Sequence, residues 1–409
     1  MYLTVAILAA ILFLYSVIAD KLERTVFGGA IAFTAIGITL GAWGIGALNL
    51  TLNAEGISVL AELTLALLLF SEAAASDLKE LRRSASLPKR LLLIGLPLTI
   101  LFGFATGALI FSAITMLEIA LLATILAPTD AALGQAVVSN EKVPGSIRSG
   151  LSFESGLNDG ICVPIFLAFL ALITNASGEQ GVGQIASHLI VEEVGIGALT
   201  GVIVATVGAA LIKLRQSRED ISPSWQQLLV PALAMTCFAT AQAIGGSGFI
   251  ASFVGGVLFG WIGQQKTEQY LLAAETTGHA LSLLTWVAFG ALVVPLVLDL
   301  MTWKIAVYAA LSLTLVRMLP VWICLRGTNM RLAEVLFVGW FGPRGLASIV
   351  FAVMAIEAGI PGANHIAAIV ACTIFFSVIG HGLTAKPFAK MLAASEAKAS
   401  PEPKANTEA

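Results

Sequence analysis

The chain has 409 residues, 58% of them hydrophobic and only 11% charged, with a mean hydropathy of +0.93. An average globular chain carries about 25% charged residues, and a soluble domain of this size could not clothe its surface in polar groups from such a composition. Most soluble enzymes, nucleic-acid binders and disordered chains are excluded, and a net charge of −3 points to no highly charged partner. Cys162, Cys237, Cys324 and Cys372 lie far apart inside apolar blocks, without metal-ligand spacing, and read as buried free thiols.

The apolar residues fall in blocks of about 20, the length that crosses a bilayer as a helix. In chain order thirteen such segments are expected: 1–19, 26–46, 57–75, 91–112, 117–138, 150–173, 190–212, 227–244, 248–263, 280–298, 304–325, 335–357 and 365–384. The division between the eighth and ninth is the weakest, since Gly245-Gly246-Ser247-Gly248 could be a break inside one region. The basic residues test the count. All but Lys304, Arg317 and Arg344 fall on alternate connections or in the tail, which places the N-terminus outside and the C-terminus in the cytoplasm. No basic residue precedes the first segment, so it does not resemble a cleavable signal peptide. Residues 1–392 read as one all-α polytopic membrane domain. Residues 393–409, rich in Ala, Lys, Glu and Pro, read as a short disordered cytoplasmic tail.

An ionisable residue at membrane depth is expensive and marks function by default. The candidates are Glu62, Glu72, Asp130, Glu154, Asp159, Arg317, Arg344 and Glu357. In the fifth segment, Leu126-Ala127-Pro128-Thr129-Asp130-Ala131-Ala132-Leu133-Gly134 places a proline beside a threonine and an aspartate. Pro128 removes a backbone donor and disfavours helix at Ala127, so the freed backbone groups need a cavity, an ion or neighbours. The bland alternative is a proline kink with a paired aspartate. In the sixth segment, Glu154-Ser155-Gly156-Leu157-Asn158-Asp159-Gly160 packs two carboxylates, an amide and a hydroxyl into six residues. Ser155 and Asp159 share one helix face, and Glu154 and Asn158 the adjoining one. The alternative is a polar helix start at the membrane surface. In the twelfth segment, Gly339-Trp340-Phe341-Gly342-Pro343-Arg344-Gly345 surrounds an arginine with helix breakers, and Arg344 is expected to meet a carboxylate. A structural ion pair explains it equally well. Segments five and twelve thus carry matching interruptions beside charges, the sequence pointer to inverted repeats with two discontinuous helices and a midplane site.

These stretches resemble the monovalent cation:proton antiporters, in the branch of bacterial, archaeal and animal Na+/H+ exchangers. Ala127-Pro128-Thr129-Asp130-Ala131 is similar to that family's Thr-Asp break, Glu154 to Gly160 to its ion-binding helix, and Gly342-Pro343-Arg344-Gly345 to its Gly-x-Arg-Gly segment. Leu68-Leu69-Phe70-Ser71-Glu72 resembles its third-helix glutamate motif, and Gly246 to Gly260 another span. The similarity runs in order along nearly the whole chain. It implies thirteen spans, a core domain with two crossing broken helices, a scaffold domain and a homodimer. The Asn158-Asp159 pair implies electroneutral one-for-one exchange. Two departures stand out: Ala131 follows the Thr-Asp where relatives often have proline, and a short tail is expected where many relatives carry a long cytoplasmic one.

The resulting expectation is competition between Na+ and a proton for Asp159. Asp130, Thr129 (through its carbonyl) and Ser155 would complete the cation shell, with Glu72 directly or through water. Asn158, Glu154 and Arg344 would organise the site, Arg344 pairing with Glu154 or with the break itself. No cofactor is expected beyond the transported Na+ (or Li+) and H+. The expected setting is the bacterial inner (plasma) membrane, in contact with lipid and serving pH homeostasis. K+/H+ antiport is the alternative, and a Na+-coupled solute symporter the next; a cation channel and an intramembrane aspartyl protease fit the motifs less well.

Lesser features complete the reading. His188, His279, His365 and His381 read as surface or interfacial histidines near span ends. Gly37/Gly41, Gly197/Gly201 and Gly256/Gly260 read as close helix packing. Arg317 is expected to pair with Glu334 or Glu357, and the tryptophans with Tyr2, Tyr270 and Tyr308 to anchor at the interface in part.

Overall fold

The computed structural model describes all residues except 1, 24–27, 49–53, 77–85, 131–132, 134–136, 138–139, 141, 175–188, 217–220, 264–267 and 400–409. Ala131, Gly134, His188, the loop cations Arg24, Lys79, Arg82, Arg83, Arg218 and Lys266, and the last ten residues of the tail with Lys404 lie outside the described residues. What is described is helical, without strands. In a bilayer this is required, because only a helix satisfies its backbone polar groups within one segment.

The elements follow the apolar segments in order. They are α1 (Tyr2–Glu23), α2 (Gly29–Leu40) and α3 (Ala54–Ala75). Next comes α4, built from Ser86–Arg90, a π-helical turn Leu91–Gly95 and Leu96–Ile110, then α5 (Met116–Ile125) and α6 (Gly145–Thr174). A π-helical turn Leu189–Ile196 leads into Gly197–Gln216 to make α7, followed by α8 (Pro223–Ala243) and α9 (Gly248–Gly263). Then α10 runs through Glu268–Ala288, a π-helical turn Phe289–Val293 and Val294–Leu300. The remaining elements are α11 (Trp303–Leu313), α12 (Leu315–Cys324), α13 (Leu332–Trp340), α14 (Leu346–Glu357) and α15 (Ala363–Ala399). Among the described residues seven helices are long and apolar enough to cross a membrane alone, and shorter apolar helices include α2, α5, α9 and α14.

The weakest division is real: Gly245 takes φ +83° between α8 and α9, a left-handed turn that glycine adopts without strain. Of the boundaries that differ from expectation, two stand out. The tenth segment begins at Glu268 rather than 280, because Glu275 and His279 interrupt the hydropathy but not the helix. The last helix continues through Ala399, past the tail boundary expected at 393.

Apolar side chains cover the outside as well as the core. Tyr2, Leu3, Phe13 and Val17 on α1 and Leu199, Ile203 and Leu211 on α7 are exposed, as a lipid-facing surface requires. Inside, helices approach through glycine. A Cβ on Gly256 or Gly260 of α9 would collide with the Phe70 or Ala74 carbonyl of α3, one on Gly201 with the Ala251 carbonyl, and one on Gly37 with Val287. The expected glycine pairs are therefore packing contacts. Tyr270 and Tyr308 are buried rather than interfacial, and the Tyr308 hydroxyl donates to the Gly103 carbonyl at 3.3 Å. Trp286 is buried too, whereas Trp43, Trp225, Trp261 and Trp303 are exposed. The four cysteines are free and buried.

Overpacking a close helix contact typically costs about 1–3 kcal/mol. Gly256→Val is therefore expected to lower the thermal unfolding midpoint in detergent by several degrees. A change on the exposed face of α7, Ile203→Val, should leave it unchanged.

Candidate functional site

Helix α5 stops at Ile125; the Leu126 and Ala127 amides still close its last turn on the Leu122 and Thr124 carbonyls, and the chain then leaves the helix from Pro128 to Asp130. Helix α13 stops at Trp340, and residues 341–345 are likewise unwound until α14 begins at Leu346. The two interruptions meet and satisfy each other's backbone. The Asp130 amide donates to the Pro343 carbonyl at 2.8 Å. The Arg344 guanidinium donates through Nη1 to the carbonyls of Ala127 and Pro128, at 3.0 and 3.1 Å. These are orphan acceptors at a helix C-terminus, where a cation is favoured. In return, Asp130 Oδ2 accepts the amide of Leu346 at 2.8 Å, placing a carboxylate at the N-terminus of α14. Its Oδ1 accepts the Leu133 amide at 3.1 Å, three residues on, the spacing of an N-cap. Ser348 of α14 donates to the Ile125 carbonyl at 2.7 Å. Gly345 must be glycine at this crossing, because a Cβ would strike the Asp130 carboxylate.

Helix α6 completes the site. Ser155 donates to the Thr129 carbonyl at 2.5 Å, and Asn158 Nδ2 donates to the Thr129 hydroxyl at 2.7 Å. One residue on, Asp159 turns toward a cavity lined by Leu65, Leu68 and Glu72 of α3, Asp130, His279 and Ser282 of α10, and Leu346. Asp159 Oδ1 and Asn158 Oδ1 are buried with no hydrogen-bond partner. An unpartnered buried acceptor is costly and calls for a proton, a water or a cation. Among the described residues no three acidic, His or Cys side chains are gathered tightly enough to grip a metal ion. The carboxylates stand around a space instead of closing a cage.

The structure thus brings Asp159, Asp130, Ser155, Thr129, Asn158 and Glu72 together. Of the two partners expected for Arg344, the break is the one it meets: among the described residues it pairs with no carboxylate and caps the break. Several other sequence expectations change. Glu154, the other expected partner, forms a buried two-pronged ion pair with Arg317, at 2.5 and 2.7 Å. Glu334 pairs with Arg331 at 2.9 Å, and Glu357 is exposed at the end of α14, so neither meets Arg317. Glu62 is half-buried on α3, away from the Glu72 end of that helix. His381 is buried, not interfacial, and His365 sits edge-on to Phe111. His279 and Ser282 are cavity residues that sequence reasoning missed. Their signal is Glu275, His279 and Ser282 spaced along one helix face, hidden because the apolar run begins only at 280.

An all-helical multi-pass membrane bundle in which two interrupted helices meet beside carboxylates has the architecture of the broken-helix transporters. Residues 7–391 match the family model described as sodium/hydrogen exchanger, transmembrane, and the chain belongs to that family. It is 28% identical over 250 residues to Na(+)/H(+) antiporter 2 of Zygosaccharomyces rouxii, covering 57% of this chain and 30% of that protein. It is 24% identical over 373 residues to the K(+)/H(+) antiporter NhaP2 of Shewanella sp. strain ANA-3, covering 89% of this chain and 62% of that one. The chain therefore spans less than two thirds of these relatives' own length. Its fold matches that of the sodium proton antiporter MjNhaP1 from Methanocaldococcus jannaschii with a TM-score of 0.73 at 19% identity, covering 96% of this chain and 98% of that one.

Removing one partner of a buried ion pair costs about 3–5 kcal/mol, whereas replacing both with apolar residues is often close to neutral. Arg317→Met alone is expected to depress the melting midpoint strongly. The double variant Arg317→Met with Glu154→Leu should recover most of the loss, measured by thermal unfolding in the same detergent.

Proposed function

We propose that the chain is a secondary transporter that exchanges a monovalent cation, Na+ or Li+, for a proton at Asp159. The observation that carries this reading is that Asp159, whose Oδ1 is buried without a hydrogen-bond partner, lines a cavity shared with Glu72 and Asp130, where two helix breaks meet. A carboxylate there is neutralised equally well by one cation or one proton, and the two compete.

Supporting ligands follow from the same geometry. Hard monovalent cations take oxygen, and the Ser155 hydroxyl and Thr129 carbonyl retain lone pairs beside their mutual hydrogen bond. Asp130 already receives two backbone amides, so it contributes negative charge and holds the break in register. Glu72 reaches the cation through water. Asn158 fixes Thr129, Arg344 fixes the carbonyls of the break, and the Glu154–Arg317 pair holds α6 against α12.

A loaded, neutral site crosses when the core moves against the scaffold; a bare carboxylate does not, because its transfer into apolar surroundings is prohibitive. That restriction couples the two fluxes, and with a single exchanging carboxylate the stoichiometry is one for one and electroneutral. Residues 1–392 form this transport unit, acting as a homodimer in the bacterial plasma membrane with the N-terminus outside. K+/H+ exchange is the second reading, favoured by the similarity to a K(+)/H(+) antiporter over most of the chain.

In liposomes with a trapped pH dye and an imposed proton gradient, added Na+ or Li+ is expected to dissipate the gradient regardless of a clamped membrane potential. Asp159→Ala should abolish the signal. Recovery with K+ selects the second reading, potential dependence overturns the one-for-one stoichiometry, and no proton movement with any cation overturns exchange altogether.

A further inference from the structure

Helix α15 lies outside the cavity, yet one of its faces grips both sides of the α13–α14 interruption. Ser377, His381 and Thr384 recur at the spacing of a single helix face. His381 is buried, with Nε2 2.9 Å from the Trp340 carbonyl, the last of α13, and Nδ1 3.2 Å from the Ser377 hydroxyl. Nδ1 also lies 3.0 Å from the Ser377 carbonyl. The Ser377 hydroxyl in turn accepts the Arg344 amide at 2.7 Å. Thr384 accepts from the Trp340 indole at 2.8 Å.

We propose that His381 is a positioning residue for the ion site, acting through the break and not through contact with the ion. The proposal rests on the reading of the Asp130–Asp159 cavity as the exchange site. The grip on Trp340 requires the hydrogen on Nε2, because the Trp340 carbonyl can only accept. The Ser377 carbonyl beside Nδ1 would equally accept a hydrogen there, so the tautomer is a prediction of the proposal, with Nδ1 taking the Ser377 hydroxyl proton and that oxygen's lone pairs left for the Arg344 amide.

The relay continues inward. Residues 340 and 344 are held from α15, and between and beside them the Pro343 carbonyl receives the Asp130 amide while the Leu346 amide binds the Asp130 carboxylate. Arg344, tethered by its backbone, reaches the Ala127 and Pro128 carbonyls. Release of the α15 grip therefore loosens the backbone that sets Asp130 and, through Thr129, the Ser155–Asn158 side of the cavity. Trp340's carbonyl also accepts the Gly342 amide at 2.9 Å, so the turn retains one local bond without the histidine.

Groups that orient ion ligands without touching the ion are typically worth about 10–100-fold in affinity. In the liposome assay His381→Leu is expected to raise the apparent KM for Na+ by about that factor, with a smaller fall in maximal rate per folded protein. Glutamine offers a donor and an acceptor at similar reach, so His381→Gln should restore a near-native KM. Ser377→Ala removes the amide acceptor with little loss of bulk and should raise KM in the same direction.

A native KM in His381→Leu or Ser377→Ala overturns the proposal, as does His381→Gln failing as badly as His381→Leu. Should His381→Leu not fold, the serine and glutamine variants decide. An independent readout is the 15N spectrum of histidine-labelled protein, assigned by subtracting the His381→Gln spectrum. The Nε2–H tautomer is expected, and an Nδ1–H tautomer overturns the relay. If the wild-type chain moves no proton with any cation, the exchange reading fails instead, and the tautomer result stands apart from it.

Discussion

The meeting of two unwound segments, 126–130 and 341–345, is the constraint on which the rest depends. Each interruption frees carbonyls and amides that a membrane interior will not solvate. Local bonds satisfy only some of them, such as the Gly342 amide on the Trp340 carbonyl. Arg344 from the second caps the carbonyls of the first, and Asp130 from the first caps the amide end of the second. The exchange is reciprocal in charge as well: a cation stands at a helix C-terminus and an anion at an N-terminus, as the helix dipoles favour. Proline creates the breaks and Gly345 lets them touch.

That arrangement divides labour among residues that look alike in the sequence. Of the acidic groups at membrane depth, Glu154 is consumed by Arg317 and Asp130 by backbone amides. Asp159 alone has a buried carboxylate oxygen left without a partner among the described residues. The proposed exchange chemistry falls on it for that reason, not because it is the most acidic feature of the motif. The cost of building such a site is carried by packing. Glycine contacts between α3 and α9 and between α2 and α10 bring backbones close enough to hold the helices without a polar core.

The arginines show where sequence reasoning reaches its limit. Arg317 and Arg344 are both recognisable as intramembrane charges needing partners. The fold chooses between the two partners open to Arg344, giving it the carbonyls of the break, and the arginine expected to pair along its own end of the chain, Arg317, takes Glu154 across the bundle. Both candidate partners are visible in the sequence; their separation in three dimensions is not. His279 is hidden for a simpler reason. Hydropathy starts the tenth segment after it, although the helix itself begins at Glu268. His381 looks interfacial because it sits near the end of an apolar run, while the helix continues to Ala399 and the end of α13, with Trp340 and Phe341, packs over the imidazole.

By itself the sequence determined that this is a helical membrane protein, where its apolar segments fall, and where helix breaks and oxygen-bearing residues cluster within them. These follow from local rules: apolar length, proline chemistry and the cost of charge in lipid each act within one segment. The tertiary structure alone decided which charge meets which, that Asp130 is tied by amides while Asp159 is left open, and that α10 lines the cavity. Those outcomes depend on contacts between segments more than a hundred residues apart, set by how glycine-lined helices nest and where two interruptions coincide. No periodicity within a single helix encodes them.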